Sequence, residues 1–496
     1  MRNGKSFAAS LNRVEILLLT ISLLMVVIYF DSVSHSSPGF FVDEASIAYN
    51  AHTIAQSGVD EYGLGFPLYF RAFGEYKNPL YIYFLAAVYR FTGPSVFAAR
   101  MLSAVLGLMA AILLGVLAAR LTRRRWAGLI VFLFALLTPW LFEISRLVFE
   151  VSIFPAVLSG FLLLLYEASR RERWSWPIAA GLGVLLGLMV YSYSIGRLLA
   201  PLFALGLGFF LTRRRRRSVV LAWVVFGIML LPLVSFTVRN PGALAERFKF
   251  VTYIKPGDTR TRIALRFVQN YVGSFSPRSW LINGDPEPRH HLPGMGSLLI
   301  GMVILAALGF VVVLLRHRSE AWWRFILYGL LVSPIPASLT LDHFHTLRLI
   351  TLPVFLLVLT VPAIEFLGAE TGPRRGASRA LLIALVVFTL VQGGIFQWQF
   401  HTASARPDAF DSYYPEVLNA ALAQPERPVY LLDKTPAAYM YAFWYATLRG
   451  LDLNNFQRAS KDMPPPAGAV VISHELPCTN CEAIIERGQF RVYRQK

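Results

Sequence analysis

Charge is scarce in this chain, and negative charge scarcest of all. Only 15% of its 496 residues are charged, with 29 acidic side chains against 47 basic ones. A sequence so poor in charge and 55% hydrophobic is not an ordinary soluble domain, and apolar runs of about 18 residues or more recur along most of it. Cysteine is nearly missing: Cys478 and Cys481 are the only two. They offer half of a structural zinc site, and no further ligands stand at a suitable spacing. A local disulfide outside the cell fits them better, with a free thiol pair second. No internal repeat is visible, and charged residues avoid the middle of the apolar runs. Secondary transporters place ionisable groups near the bilayer midplane, often in repeated halves, so both absences weigh against one. The net charge of +18 would suggest a nucleic-acid partner in a soluble protein. Its distribution gives a different cause, and no nucleic acid is expected.

Basic residues gather between the apolar runs: Arg2, Lys5 and Arg13, then Arg120 with Arg123, Arg124 and Arg125, then Arg170, Arg171 and Arg173. Five consecutive arginines follow at 213–217, then Arg316, Arg318 and Arg324, then Arg374, Arg375 and Arg379. Cytoplasmic loops collect Arg and Lys in this way. With every cluster inside, about eleven membrane helices are predicted, near 14–30, 96–119, 126–144, 151–169, 176–193, 198–212, 218–238, 298–315, 325–340, 348–367 and 380–399. The first run has no small-residue cleavage site after it and reads as a retained anchor. The arginines at 213–217 read as a solvated loop against anionic headgroups. The expected fold class is an all-α polytopic bundle over residues 1–399, in the plasma (inner) membrane, with a cytoplasmic N-terminus. Two long outer loops fall at 31–95 and 239–297, and a small extracytoplasmic α/β domain at 400–496 carries strand-like pieces at 429–432, 469–472 and 490–493.

Two adjacent carboxylates, Asp43 and Glu44, stand just past the first run in FFVDEASIAYNAHTIAQSG. Ile47, Ala48, Ala51, Ile54 and Ala55 share one helical face and Gly58 supplies a stop, which predicts a short amphipathic helix along the membrane surface. Asp43 is expected at its N-cap and Glu44 in its first turn, where a carboxylate satisfies free N–H groups. One carboxylate suffices for that, and the second points into whatever space the loops enclose. Further on, Pro79 suits the first position of a second surface helix. Lys77 just before it combines an ammonium with a helix N-terminus, a ready phosphate site. The alternative is a lysine that only snorkels to lipid headgroups.

The order of these features matters more than any one of them. An acidic pair after the first run is followed by KNPLY at 77–81, FAARMLSA at 97–104 and EISRL at 143–147. This succession resembles the GT-C membrane glycosyltransferases, and more narrowly the protein O-mannosyltransferase and aminoarabinose-transferase group (glycosyltransferase families 39 and 83). The similarity covers roughly the first 200 residues, and it departs from the group's pattern at Glu150, where an aspartate is usual. The resemblance implies a many-span bundle with short surface helices around an outer cavity. It also implies a reaction: a sugar leaves a polyprenyl-phosphate carrier for a hydroxyl on a lipid, glycan or protein acceptor outside the membrane. The first-loop acid of the group is its general base, which carries over to Asp43, with Glu44 beside it.

Those residue types suit that reaction. A glycosyl phosphate already has a good leaving group, so what remains is to deprotonate the acceptor, support an oxocarbenium-like carbon and neutralise the departing phosphate. A single carboxylate across the ring, with no covalent intermediate, predicts inversion, and no cofactor is required. Fixed cations aimed at the phosphate supply the rest. Lys77, Arg146, Arg197 and Arg348, all at outer positions where arginine is the less expected residue, are the donor-phosphate candidates, with Arg289 in the second loop. That loop holds NGDPEPRHHLPG at 283–294, where Asp285, Glu287, His290 and His291 have atoms for a divalent cation. Its prolines dictate an extended chain rather than helical ligand spacing, so a loop closing over the donor is favoured, with Arg289 or His290 touching phosphate or sugar. Glu150 and His343 are further candidates for acceptor or metal, and Glu150 would alternatively pair with Arg146 one turn away. A transporter, or a polymerase or ligase of surface polysaccharide, are the competing functions.

Overall fold

Hydrocarbon leaves a spanning backbone no water to bond to, so apolar runs must close their hydrogen bonds within themselves as helices. The computed structural model describes residues 11–35, 37–369, 375–403, 407–433, 439–460, 463–474 and 480–496, and each expected run is mainly helical there. Arg2, Lys5, Arg374 and Cys478 lie outside the described residues. In chain order the helices are α1 (Arg13–Phe30), α2 (Val42–Ser57), α3 (Pro79–Thr92), α4 (Val96–Thr122), α5 (Arg125–Leu137), α6 (Pro139–Ile144), α7 (Phe154–Ser169), α8 (Trp176–Ser192), α9 (Gly196–Gly206) and α10 (Arg216–Arg239). The second long loop carries α11 (Glu246–Val251) and α12 (Arg260–Gly273). Then come α13 (Ile300–Val312), α14 (Ala321–Val332), α15 (Ile335–Ser338), α16 (Thr351–Leu367), α17 (Arg375–Ala403), α18 (Tyr414–Leu422) and α19 (Tyr439–Arg449).

Among the described residues, six segments are long and apolar enough to cross a membrane: Arg13–Phe30, Val96–Thr122, Glu150–Ser169, Arg216–Arg239, Ile300–His317 and Arg375–Thr402. Arg125–Leu137, Trp176–Ser192, Gly196–Phe210 and Thr351–Leu367 are apolar but shorter. The run expected at 126–144 breaks between α5 and α6 because Pro139 has no N–H to give and keeps Thr138 extended. The run at 325–340 is likewise divided, at Pro334. Helix α16 is buried along nearly its whole length, so it forms the middle of the bundle, whereas α1 and α10 are mostly uncovered by protein. Helices α4 and α5 touch through paired glycines. A Cβ on Gly128 would stand 2.6 Å from the Gly115 carbonyl oxygen, so no larger residue allows this approach.

The first outer loop differs from expectation in two ways. Helix α2 begins at Val42 with Phe41 as its N-cap, two residues earlier than an Asp43 cap would place it. It is also not a surface helix with a free polar face, since Ser46, Tyr49 and Asn50 are buried along with the apolar side and α19 packs on it. Phe40 stacks on Trp444 at 5.4 Å and Tyr49 meets Phe443 at 5.8 Å. Between α2 and α3 the chain also makes an unforeseen hairpin of β1 (Phe70–Ala72) and β2 (Glu75–Lys77). Its two-residue turn needs positive φ at both positions, found at Phe73 (55°) and Gly74 (82°).

The C-terminal region contains a sheet of β3 (Val429–Asp433), β4 (Phe456–Ala459), β5 (Val470–His474), β6 (Cys481–Arg487) and β7 (Phe490–Gln495), in the order β4-β3-β5-β7-β6. Strand β3 runs parallel to β4 and β5, and β7 antiparallel to β5 and β6. Strands β4 and β6 have polar, exposed faces that gave no apolar signal in the sequence. Cys481 is disulfide-bonded.

Candidate active site

A cavity of about 480 Å³ opens among the ends of the helices, the first loop and the second loop. Asp43, Lys77, Glu150, Arg197, Glu287, Arg289, His290 and Arg348 all line it, so eight of the thirteen residues singled out from the sequence converge on one space. Asn78, Tyr193, Arg247 and His345 line it as well. Arg247 sits in α11, whose ERFKF sequence is a basic surface helix like many others and gave no sign of a site.

Each cation in the wall has its own partner. Lys77 donates to Asp43 Oδ1 at 2.6 Å, and the hairpin delivers it there, because Lys77 pairs with Phe70 at the end of β2. The Arg289 guanidinium forks onto Glu287, with Nε to Oε1 at 2.7 Å and Nη2 to Oε2 at 2.8 Å, and lies over the Phe41 ring. Arg247 pairs with Glu75 at 3.2 Å, and Arg348 with Asp342 at 2.5 Å. Among the described residues Arg197 alone in this wall has no carboxylate within ion-pair distance. It donates to Asn78 Oδ1 at 3.1 Å and to the Leu244 carbonyl at 3.2 Å. Glu150 in turn fixes Asn78, accepting its backbone N–H at 2.7 Å and its side-chain Nδ2 at 2.6 Å. It therefore braces the start of α3 and does not pair with Arg146.

Burial alone would raise the Asp43 carboxyl, but the charge and hydrogen bond of Lys77, with Arg247 and Arg289 behind it, outweigh that and hold it below its ordinary value. Burial would lower Lys77, and Asp43, Glu150 and Glu75 more than offset this, so the ammonium is held above its ordinary value. Both partners are therefore charged at neutral pH. The Asp43 side chain remains 35% exposed against 7% for Lys77, so the carboxylate is the accessible member.

Five sequence candidates fall elsewhere. Glu44 is fully buried, and its carboxylate takes Arg100 Nε at 3.1 Å and Nη2 at 3.0 Å, the Val148 N–H at 3.1 Å and the Phe41 N–H at 3.0 Å. Glu44, one step round the helix from Asp43, thus caps α2 and ties it to α4, which corrects the expectation that Asp43 is the cap. Arg146 is 1% exposed and points away from the cavity, donating to the Tyr29 and Asp31 carbonyls at the end of α1 and lying over Phe142. A guanidinium already spent on backbone carbonyls inside the bundle is not placed to meet a phosphate. His291 bonds Glu143 at 3.1 Å and the Met295 carbonyl, tying the second loop to EISRL. His343 is exposed, 3.4 Å from Arg266. Asp285 lies behind the wall, accepting from the Thr346 N–H and hydroxyl at 2.7 and 2.6 Å. It belongs to a cluster with His290 and His345 whose ligand atoms all lie within 4.8 Å of one another, the set in the described residues best able to hold a metal.

Residues 76–238, the stretch from Lys77's strand through α10, match the family model of dolichyl-phosphate-mannose-protein mannosyltransferases. The apo crystal structure of ArnT from Cupriavidus metallidurans superposes with a TM-score of 0.59 at 13% identity, over 96% of this chain and 97% of that one. The fold is ArnT-like. The same ArnT bound to undecaprenyl phosphate gives a TM-score of 0.49 at 12% identity, again over 96% and 97% of the two chains. No curated protein matches the sequence. The resemblance to GT-C glycosyltransferases thus holds in both the family model and the fold, and with the apolar helices it makes this a multi-pass membrane protein.

Proposed function

We propose that the chain is a glycosyltransferase that moves a sugar from a polyprenyl-phosphate carrier to an acceptor hydroxyl, with inversion and Asp43 as general base. The observation that carries the reading is a charged, accessible Asp43 carboxylate facing a cavity ringed by Lys77, Arg197, Arg289 and Arg348. The family description, with a dolichyl-phosphate sugar as donor and a protein as acceptor, supports a lipid-phosphate donor. The cavity faces the extracytoplasmic side on this reading, with the N-terminus cytoplasmic, residues 1–399 forming the catalytic bundle and 400–496 an outer domain on the acceptor's side.

The sequence of events follows from the charges. Arg197 is the cation with no anion to give up, so the donor phosphate meets it first. The phosphate then competes with Asp43 for Lys77, and the ammonium that held the carboxylate turns to the leaving group. Asp43, released, accepts the proton of the acceptor hydroxyl as that oxygen bonds the anomeric carbon. The bond from that carbon to the phosphate oxygen breaks, and its electrons stay on the carrier phosphate, held by the arginines. Glu150 takes no proton in this scheme and keeps Asn78 and Arg197 in place.

Membranes holding the protein, incubated with a radiolabelled polyprenyl-phosphate sugar, test the reading. Label passes to an acceptor with the wild type and not with Asp43→Asn, which still binds donor. Undiminished transfer by Asp43→Asn overturns the base assignment, and uptake of a free solute without carrier would make the protein a transporter.

A further inference from the structure

The wall of the cavity contains two imidazoles with nothing to do. Nδ1 of His290 and Nδ1 of His345 are both buried and make no hydrogen bond among the described residues. The rings come from separate loops, 283–294 and 342–345, yet their centroids are 5.1 Å apart. Asp285 completes the group: its Oδ2 stands 3.5 Å from His290 Nδ1, too far for a good hydrogen bond. The side chains of His290 and Asp285 are only 6% and 1% exposed.

We propose that Asp285, His290 and His345 form a three-ligand site for a tetrahedral divalent ion, Zn²⁺ above all, with its fourth position open to the cavity. Two imidazole nitrogens and one carboxylate oxygen are a donor set zinc favours, and a site with three protein ligands keeps one place for water or an anionic oxygen. Bonds of about 2.0–2.1 Å in a tetrahedron put ligand atoms roughly 3.4 Å apart. The Asp285–His290 separation of 3.5 Å already fits, and small rotations bring His345 in from within the 4.8 Å limit of the cluster. Magnesium and calcium want oxygen ligands and gain little from two histidines.

The surroundings are built for this. Thr346 holds Asp285 through its N–H and its hydroxyl, and the Glu287 N–H bonds the other carboxylate oxygen at 2.9 Å, so the carboxylate cannot turn. Outer-shell bonds of this kind orient a metal ligand. Phe149 packs edge-on against His290 at 5.9 Å. The cations that face the group would repel an ion, but each is neutralised beforehand: Arg348 by Asp342, Arg289 by Glu287 and Arg247 by Glu75. Asp285 is then the uncompensated charge at the cluster. His290 and His345 line the cavity beside Arg348, so the open position looks toward the space where the donor phosphate belongs. That last role rests on the proposed function, whereas the site itself does not.

Full-length protein in detergent, stripped with a chelator and titrated with Co²⁺ and then Zn²⁺, provides the test. The wild type should take up one ion per chain with the strong visible bands of tetrahedral cobalt, which zinc bleaches. His345→Ala and His290→Gln should each lose at least tenfold in Zn²⁺ affinity, with His317→Ala, a half-buried histidine outside the cluster, unchanged. Two substitutions in separate loops guard against one that fails to fold. Absence of the tetrahedral bands in the wild type, or affinity undiminished in both variants, overturns the site. Metal uptake is read without turnover, so a failed transferase reading and a failed metal site are told apart.

Discussion

The two long outer loops both reach the cavity, but they hold their charges differently. In the first, ionic partners lie far apart in sequence: Asp43 and Lys77 are 34 positions apart, Glu44 and Arg100 56. In the second, most pairs are close at hand, Arg289 with Glu287, Lys249 with Glu246 and Arg262 with Asp258, and Arg247 is the exception that reaches across to Glu75 of the first loop. A distant pair fastens one element to another, whereas a local pair only neutralises its cation. Within the first loop the two distant pairs differ again. Glu44–Arg100 is sealed from solvent, and Asp43–Lys77 opens onto the cavity. Position relative to water, and not charge or spacing, separates the pair sealed inside the fold from the pair that faces the cavity.

The sharpest way to break this contrast is to exchange the roles. Asp43→Asn should cut label transfer by about 10²–10⁴-fold, the range for a general base, with little change in thermal stability. Glu44→Gln or Arg100→Met should do the reverse, destabilising the protein by about 3–5 kcal/mol, because either change leaves a buried charge alone. A thermal melt in detergent checks this, and a stable Glu44→Gln protein with no turnover would reverse the assignment of the two carboxylates. Arg197→Ala should weaken donor binding by about 10- to 100-fold, as expected for lost hydrogen bonds to a charged group. Arg289→Ala should weaken it less, since its fork is already filled by Glu287; equal losses would show that the local pairs open on binding.

A pH profile sharpens the comparison further. The folded-state pKa of Asp43 is depressed, so its ionised form persists above the ordinary carboxylate range and for some way below it, and is lost as pH falls through the depressed value. In kcat/KM, which reports the free enzyme, the acid limb should therefore lie below that range. If the donor removes Lys77 from Asp43, the acid limb in kcat should sit at higher pH, and coincident limbs would argue that the pair never parts. The smallest expected effect concerns Glu61, whose carboxyl is pushed up to about 7, chiefly by burial, where Tyr439 of α19 donates to it at 3.3 Å. A raised carboxyl pKa gives a contribution that is complete below the ordinary value of 4.5 and is lost as pH rises toward 7. Hydrogen exchange at the start of α19 should accelerate over that window, and Glu61→Gln should flatten the dependence.

Much of this was legible beforehand because it follows from strong periodic signals. The apolar runs and the arginine clusters between them mark the helices, and the order of the motifs marks Asp43, Lys77 and the resemblance. What failed were choices decided by one residue of register. Asp43 and Glu44 exchange roles because Phe41 is the cap of α2, and a cap formed through backbone and a later glutamate leaves little trace at the cap residue itself. His343 and His345 alternate in an irregular loop, and only its path turns His345 inward. Arg146 carries a motif match yet serves the end of α1, since a motif shows that a residue matters and not what it touches. The hairpin that delivers Lys77 depends on Phe73 adopting a positive φ, which no propensity favours.

The packing of α19 on α2 carries a topological consequence. Tyr439 touches Glu61 across 378 positions of chain, so the two must emerge on one face of the bilayer, and the polypeptide between them has to traverse it an even number of times. Helix α2 also cannot meet α19 until residues 439–449 have been made. A protein shortened before α19 would leave the aspartate's helix with a bare flank.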